Sequence, residues 1–190
     1  MVIGGSAGAF EVLRDVLRRL TARFAPAMAI VVHLPPTGPN LLPEVFSNPF
    51  GPRMKLAEDK EPIAGGTIYF AAPDYHLLVG SDRTFALSQD DPVHFSRPAI
   101  DTLFESAAEA YGAVVMGVIL SGASADGARG LRAIADAGGL AVVQSLETAE
   151  MTAMPAAALQ AVPDSLLKSV EALAELLRAH GEDHGEDDGR

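Results

Sequence analysis

Residues 2–13 read VIGGSAGAFEVL, a short apolar run that breaks into a glycine-rich turn and resumes as an amphipathic helix. Such a strand, turn and helix can hold a phosphate against backbone amides, or can lift Ser6 out of the chain as a nucleophile. A dinucleotide cradle requires glycine where Ser6 stands, and a carboxylate at the end of the second strand. The second apolar run, Met28–Val32, ends instead in His33-Leu34-Pro35-Pro36. The cradle fails both tests. Gly4-Gly5-Ser6-Ala7-Gly8 matches G-x-S-x-G, in which small neighbours permit a sharp turn that exposes the serine hydroxyl. Glycine and serine are common in turns, so the match needs partners.

Outward from this unit, apolar runs alternate with helical patterns. Met1–Gly4 is followed by a helix over Phe10–Phe24 and a run at Met28–Val32; Val114–Leu120 is followed by a helix over Asp126–Ala137 and a run at Leu140–Gln144. Continuous aliphatic runs between amphipathic helices predict strands buried on both faces, hence a Rossmann-like α/β fold with a mostly parallel, doubly wound sheet. In the middle, Thr67–Ala71, His76–Val79 and Thr84–Leu87 are short segments punctuated by Pro73-Asp74 and Gly80-Ser81-Asp82, which read as an antiparallel hairpin excursion. A helix then starts with Ser96 as N-cap and Pro98 in its first turn, and stops at Gly112. Leu166, Leu167, Val170, Leu173, Leu176 and Leu177 form a core stripe on a last helix over Ser165–His180.

Composition bounds the function. The chain has 190 residues, a net charge of −11 and 48% hydrophobic residues, which fits one globular domain and lacks the basic face that nucleic-acid binding needs. With no cysteine, disulfides, thiolate nucleophiles and Cys-ligated metals are excluded, and a cytoplasmic location fits. No apolar run approaches a membrane span. Residues 1–178 are expected to form the catalytic domain and 179–190, rich in Glu and Asp, a disordered acidic tail. MVI is short for a strand opening a parallel sheet, which suggests a natural chain that continues upstream. No cofactor and no metal site is expected; His180 and His184 are spaced i, i+4 but straddle the tail.

A serine hydroxyl needs a base, and the base works best beside a carboxylate that fixes its tautomer. His33 follows a buried strand, which puts it at the carboxyl edge of the sheet, where open parallel sheets bind ligands. Asp126 lies at the same edge, after Val114–Leu120. Its bland reading is an N-cap, and that of His33 a satisfied structural group; both compete with roles as triad acid and base. The amides around Gly122, Ala123 and Ser124 are free of strand pairing and are candidates for an oxyanion hole.

GGSAGAFEVL, VVHLPP, FSRPAIDTLFESAA, GVILSGASADGARGL and MTAMPAAAL stand in this order along residues 1–178, and together they resemble the catalytic domain of the bacterial chemotaxis protein-glutamate methylesterases. The resemblance implies hydrolysis of γ-glutamyl methyl esters on chemoreceptor helices, often with deamidation of receptor glutamines, and a triad on Ser6, His33 and Asp126. It also marks Arg97 and Met154 as candidates for the substrate cleft, against default readings as an exposed arginine and a packing residue. The family commonly has Ser or Thr at Ala7, Gly at Ala9, Gln at Val32 and Met at Ala123, so hydrogen bonds around the triad differ here. Its regulated members carry an upstream receiver domain, which makes a receiver or another signalling domain an expected partner besides the methylated receptor. The rival readings are a hydrolase of the same fold with another ester or amide substrate, and a non-catalytic binding domain.

Overall fold

The computed structural model describes residues 1–33 and 41–183. Seven parallel strands form one sheet in the order β3-β4-β2-β1-β7-β8-β9. They are β1 (Val2–Gly5), β2 (Met28–Val32), β3 (Arg53–Leu56), β4 (Thr67–Phe70), β7 (Met116–Ile119), β8 (Leu140–Gln144) and β9 (Leu166–Lys168). A separate antiparallel pair, β5 (His76–Val79) and β6 (Phe85–Ser88), is the hairpin excursion. The helices are α1 (Ala9–Leu17), α2 (Leu42–Phe46), α3 (Ile100–Tyr111), α4 (Ala128–Asp136), α5 (Ala153–Ala161) and α6 (Val170–Asp183).

Alternation along each strand divides the core into two layers. Ile3, Met28, Ile30 and Ile68 face Val12, Leu13, Val16 and Leu17 of α1 and Leu173 and Leu177 of α6. Val2, Ala29, Val31 and Tyr69 face Ile100, Leu103 and Phe104 of α3, Leu131 and Ile134 of α4, and the hairpin through Leu77 and Phe85. Both faces of the sheet are covered, which is why the strands read as aliphatic runs without polar alternation.

Several expectations are corrected. Thr67–Ala71 is not part of the hairpin: β4 pairs in parallel with β2 and β3, and all four of its residues are buried. Leu166 and Leu167 belong to the edge strand β9, 39% and 51% exposed, and Ser169 opens the last helix by accepting the Ala172 N–H. α1 stops at Leu17: the Arg18 N–H still reaches Arg14 O, but the amides after it reach back only three residues, Arg19 N–H to Val16 O and Leu20 N–H to Leu17 O. α3 begins only at Ile100, so Ser96 is not its cap; Gly112 does terminate it. α4 starts at Ala128 rather than Asp126, and a single 3-10 turn over Gly112–Val114 precedes β7. β3, β9, α2 and α5 had no counterpart among the expected elements. α6 continues beyond residue 178 to Asp183, while the remaining tail and His184 lie outside the described residues.

Candidate active site

Successive crossovers carry the chain from β1 towards β2 and β4 on one side and from β7 to β8 and β9 on the other, so the β1/β7 boundary is the topological switch point of the sheet. Loops leaving neighbouring strands diverge there and open a crevice at the carboxyl edge. Ser6 sits in it. The Ser6 N–H donates to Ser121 O at 2.9 Å and so continues the β1/β7 pairing, and Gly8, with φ 80°, turns the chain into α1. A side chain at Gly5 would meet Ala9 Cβ at 2.5 Å, which is why the turn must be built from small residues.

His33 is the neighbour of this turn on β2: its N–H donates to Gly5 O at 3.1 Å, and Gly5 pairs in register with Val32. Its imidazole meets Asp126 through Nε2 and Oδ2 at 2.8 Å. Asp126 is fully buried, and it also accepts the Ile100 N–H (2.7 Å) and the Asp101 N–H (3.0 Å). The carboxylate is therefore an N-cap, but of α3 rather than of the helix that follows it. Burial pushes the Asp126 carboxyl upwards; the hydrogen bond from His33, the two amides and the attraction of the imidazole together outweigh this and hold it below its ordinary range. An ionised carboxylate only accepts, so Nε2 carries the imidazole hydrogen and Nδ1 presents a lone pair. The Ser96 hydroxyl donates to that Nδ1 at 3.4 Å, a long and weak contact. Ser6 Oγ has no hydrogen-bond partner among the described residues. The structure thus joins His33 to Asp126, and sets Ser6 beside His33 without a bond between their side chains.

The oxyanion candidates separate. Gly122 is ruled out, since its N–H donates to Met151 O at 3.0 Å. The amides of Ala123 and Ser124 make no hydrogen bond among the described residues, and the Ser124 hydroxyl accepts the Asp126 N–H at 3.4 Å. The Ala7 amide is equally open; the residue after the nucleophile is a usual oxyanion donor, so the G-x-S-x-G match itself carried this signal. Met154 is corrected: at 1% exposure it does not line the cleft but packs beneath the loop, with Sδ 2.6 Å from where a Gly122 side chain would begin. Arg97 does line the cleft beside His33, yet its guanidinium is engaged by Asp74 Oδ1 (2.7 Å) and the carbonyls of Gln89 and Asp90 (3.0 Å each).

Two buried polar residues were not singled out from the sequence. The Ser121 hydroxyl donates to Ala7 O at 2.7 Å and accepts the Met151 N–H at 2.9 Å, while the Ser121 N–H donates to Gln144 Oε1 at 2.8 Å. They brace the turn that carries Ser6 against the loop after β8. Their signal was a polar side chain at the carboxyl end of an otherwise apolar strand. Asp101, also fully buried, mirrors Asp126: its Oδ1 accepts the Gly127 and Gly130 N–H groups (2.9 and 2.8 Å), so each carboxylate caps the other's helix. Burial raises the Asp101 carboxyl, opposed by the Gly130 hydrogen bond and reinforced by the charge of Asp126. His94, Asp101 and Asp126 offer ligand atoms within 4.8 Å of one another, but Asp126 already serves three donors and Arg129 Nε lies 3.8 Å from Asp101 Oδ2. We assign this cluster no metal role.

Residues 1–177 match the family model described as CheB methylesterase. A Leptospira interrogans protein, named provisionally as a protein-glutamate methylesterase/protein-glutamine glutaminase, is 42% identical over 176 residues, spanning 93% of this chain and 91% of its own length. The Rhodospirillum rubrum protein-glutamate methylesterase/protein-glutamine glutaminase 1 is 38% identical over 165 residues, which cover 84% of this chain and 43% of that protein. The crystal structure of the Thermotoga maritima CheB methylesterase catalytic domain superposes with a TM-score of 0.88 at 28% identity, covering 94% of this chain and 96% of that one.

Proposed function

The chain belongs to the CheB methylesterase family, and on that premise we propose that it hydrolyses γ-glutamyl methyl esters on chemoreceptor helices, and deamidates receptor glutamines, by serine catalysis in the cytoplasm. The observation that carries the chemistry is the His33–Asp126 contact of 2.8 Å at the end of the strand next to Ser6. The reaction requires the Ser6 hydroxyl to reach Nδ1 in place of the weak contact from Ser96; catalytic hydrogen bonds commonly tighten only when substrate is bound. Nδ1 takes the Ser6 proton while Oγ attacks the ester carbonyl carbon, and the negative oxygen of the tetrahedral intermediate is held by the open amides of Ala7, Ala123 and Ser124. Collapse breaks the bond to methoxide, which leaves as methanol with the proton from Nδ1. Water, deprotonated by the same nitrogen, then attacks the acyl-serine and frees the glutamate carboxylate and Ser6. With a glutamine side chain the same sequence releases ammonia. Asp126 stays ionised throughout and offsets the positive imidazolium.

The test is methanol release from methylated receptor fragments. Ser6→Ala is expected to lower it by about 10³-fold or more while the thermal midpoint stays near that of the wild type. Release by Ser6→Ala equal to that of the wild type overturns serine catalysis. Hydrolysis confined to unrelated esters overturns the receptor substrate and leaves the chemistry.

A further inference from the structure

The turn Val93–Ser96 borders the cleft that contains His33, and it is fastened almost everywhere. Val93 and Ser96 exchange backbone hydrogen bonds at 3.1 and 2.9 Å. His94 Nε2 lies 3.3 Å from Asp101 Oδ2, and the Ser96 hydroxyl reaches His33. Arg97, just beyond, ties the strand end to Asp74, Gln89 and Asp90. Phe95 is the exception. Its side chain is fully exposed, at 104%, although it lines the same cleft as His33. His94 and Phe95 have φ of 49° and 62°, so two consecutive L residues occupy the left-handed region that such turns normally fill with Gly or Asn.

A bulky apolar side chain held in water, on a backbone conformation that disfavours it, at the mouth of a reactive cleft, is poorly explained by folding. Strained positions collect at functional sites, and exposed aromatic rings on rigid supports are the residues that dominate protein–protein contacts. Across the nucleophile turn, Met151 is 39% exposed on the loop that hydrogen bonds to Gly122, so a second apolar contact lies on the β8 side of Ser6. We propose that Phe95 is a specificity-determining anchor for the protein substrate: it packs against apolar side chains of the receptor helix next to the esterified glutamate, and holds that glutamate over Ser6. This rests on the receptor-esterase reading above. A small ester, having nothing to lay across the turn, does not use the anchor.

Phe95→Asn suits the test because asparagine accepts the left-handed conformation more readily than phenylalanine, so its thermal midpoint is expected at or above that of the wild type. The measurement compares kcat/KM for methanol release from a methylated receptor cytoplasmic fragment with kcat/KM for p-nitrophenyl acetate, in the full chain. Phe95→Asn is expected to lower the receptor-to-nitrophenyl selectivity ratio by about tenfold to a hundredfold, mainly through KM, while Phe95→Leu retains most of it. An unchanged ratio in Phe95→Asn, or an equal loss in the leucine variant, overturns the anchor while the esterase reading stands. Wild-type protein that cleaves the nitrophenyl ester but releases no methanol from the receptor overturns the substrate reading and the anchor with it.

Discussion

At the residue scale, Asp126 does two things with one carboxylate. Three donors converge on its two oxygens: His33 Nε2–H and the amides of Ile100 and Asp101. An asparagine there must turn an NH₂ towards at least one of these donors, which leaves a buried donor unpaired. Asp126→Asn is therefore expected to lower kcat by about 10³–10⁴-fold and stability by about 1–3 kcal/mol, read by methanol release and by denaturant unfolding. A purely structural cap would give the second loss without the first. The placing of Ser6, His33 and Asp126 at one edge of the sheet was legible in the sequence because each stands where a buried strand breaks into a loop. The engagement of Gly122, the burial of Met154 and the contact between Ser96 and His33 were not legible, since they depend on segments distant in the chain.

At the scale of elements, α3 and α4 are locked by exchange of caps. Each helix leaves unpaired N–H groups at its start, and each receives a carboxylate from the other: Asp126 for α3, Asp101 for α4. The exchange fixes the loop that carries Asp126 and the amides of Ala123 and Ser124. Asp101→Ala removes the α4 cap, an expected loss of about 1–2 kcal/mol. Asp101→Asn keeps an oxygen for Gly127 and Gly130 and removes a buried negative charge beside Asp126. Because burial raises the Asp101 carboxyl above its ordinary 3.8, its ionisation works against folding as pH climbs through the folded value. The asparagine variant is therefore expected to be at least as stable as wild type at pH 7, measured by denaturant unfolding. Asp101 stands in the first turn of α3, where an acid ordinarily does no more than favour the helix dipole, so nothing local in the sequence marks it as the cap of α4. The edge strands β3 and β9 escaped because neither shows a buried aliphatic run: Arg53–Leu56 carries two cations and is not buried, and Leu166–Lys168 is largely exposed and runs into the leucines of the last helix.

For the whole molecule, the two layers meet at the crevice. β1 and β2 supply Ser6 and His33 from the sheet, while Asp126 belongs to the loop between β7 and the α3/α4 layer, so the His33–Asp126 contact also fastens sheet to helices. This gives acid denaturation a definite sign. The Asp126 carboxyl is held below its ordinary 3.8, so below that value the unfolded chain binds the proton first and stability rises with pH. The contribution is complete above 3.8 and is lost as pH falls through the folded value. Wild type is expected to lose more stability than Asp126→Asn between pH 7 and strongly acidic pH, in denaturant titrations at each pH.

The layered α/β fold, and the placing of Ser6, His33 and Asp126 on one rim of its sheet, could be read from the chain alone: hydrophobic periodicity and glycine-rich strand ends are local properties, written within a dozen residues of chain. Tertiary structure alone decided which amides remain open, which carboxylate caps which helix, and which nitrogen of His33 faces a hydroxyl. Hydrogen bonds and close packing between residues tens of positions apart are settled by the closure of the whole core, and no short stretch of sequence contains that information.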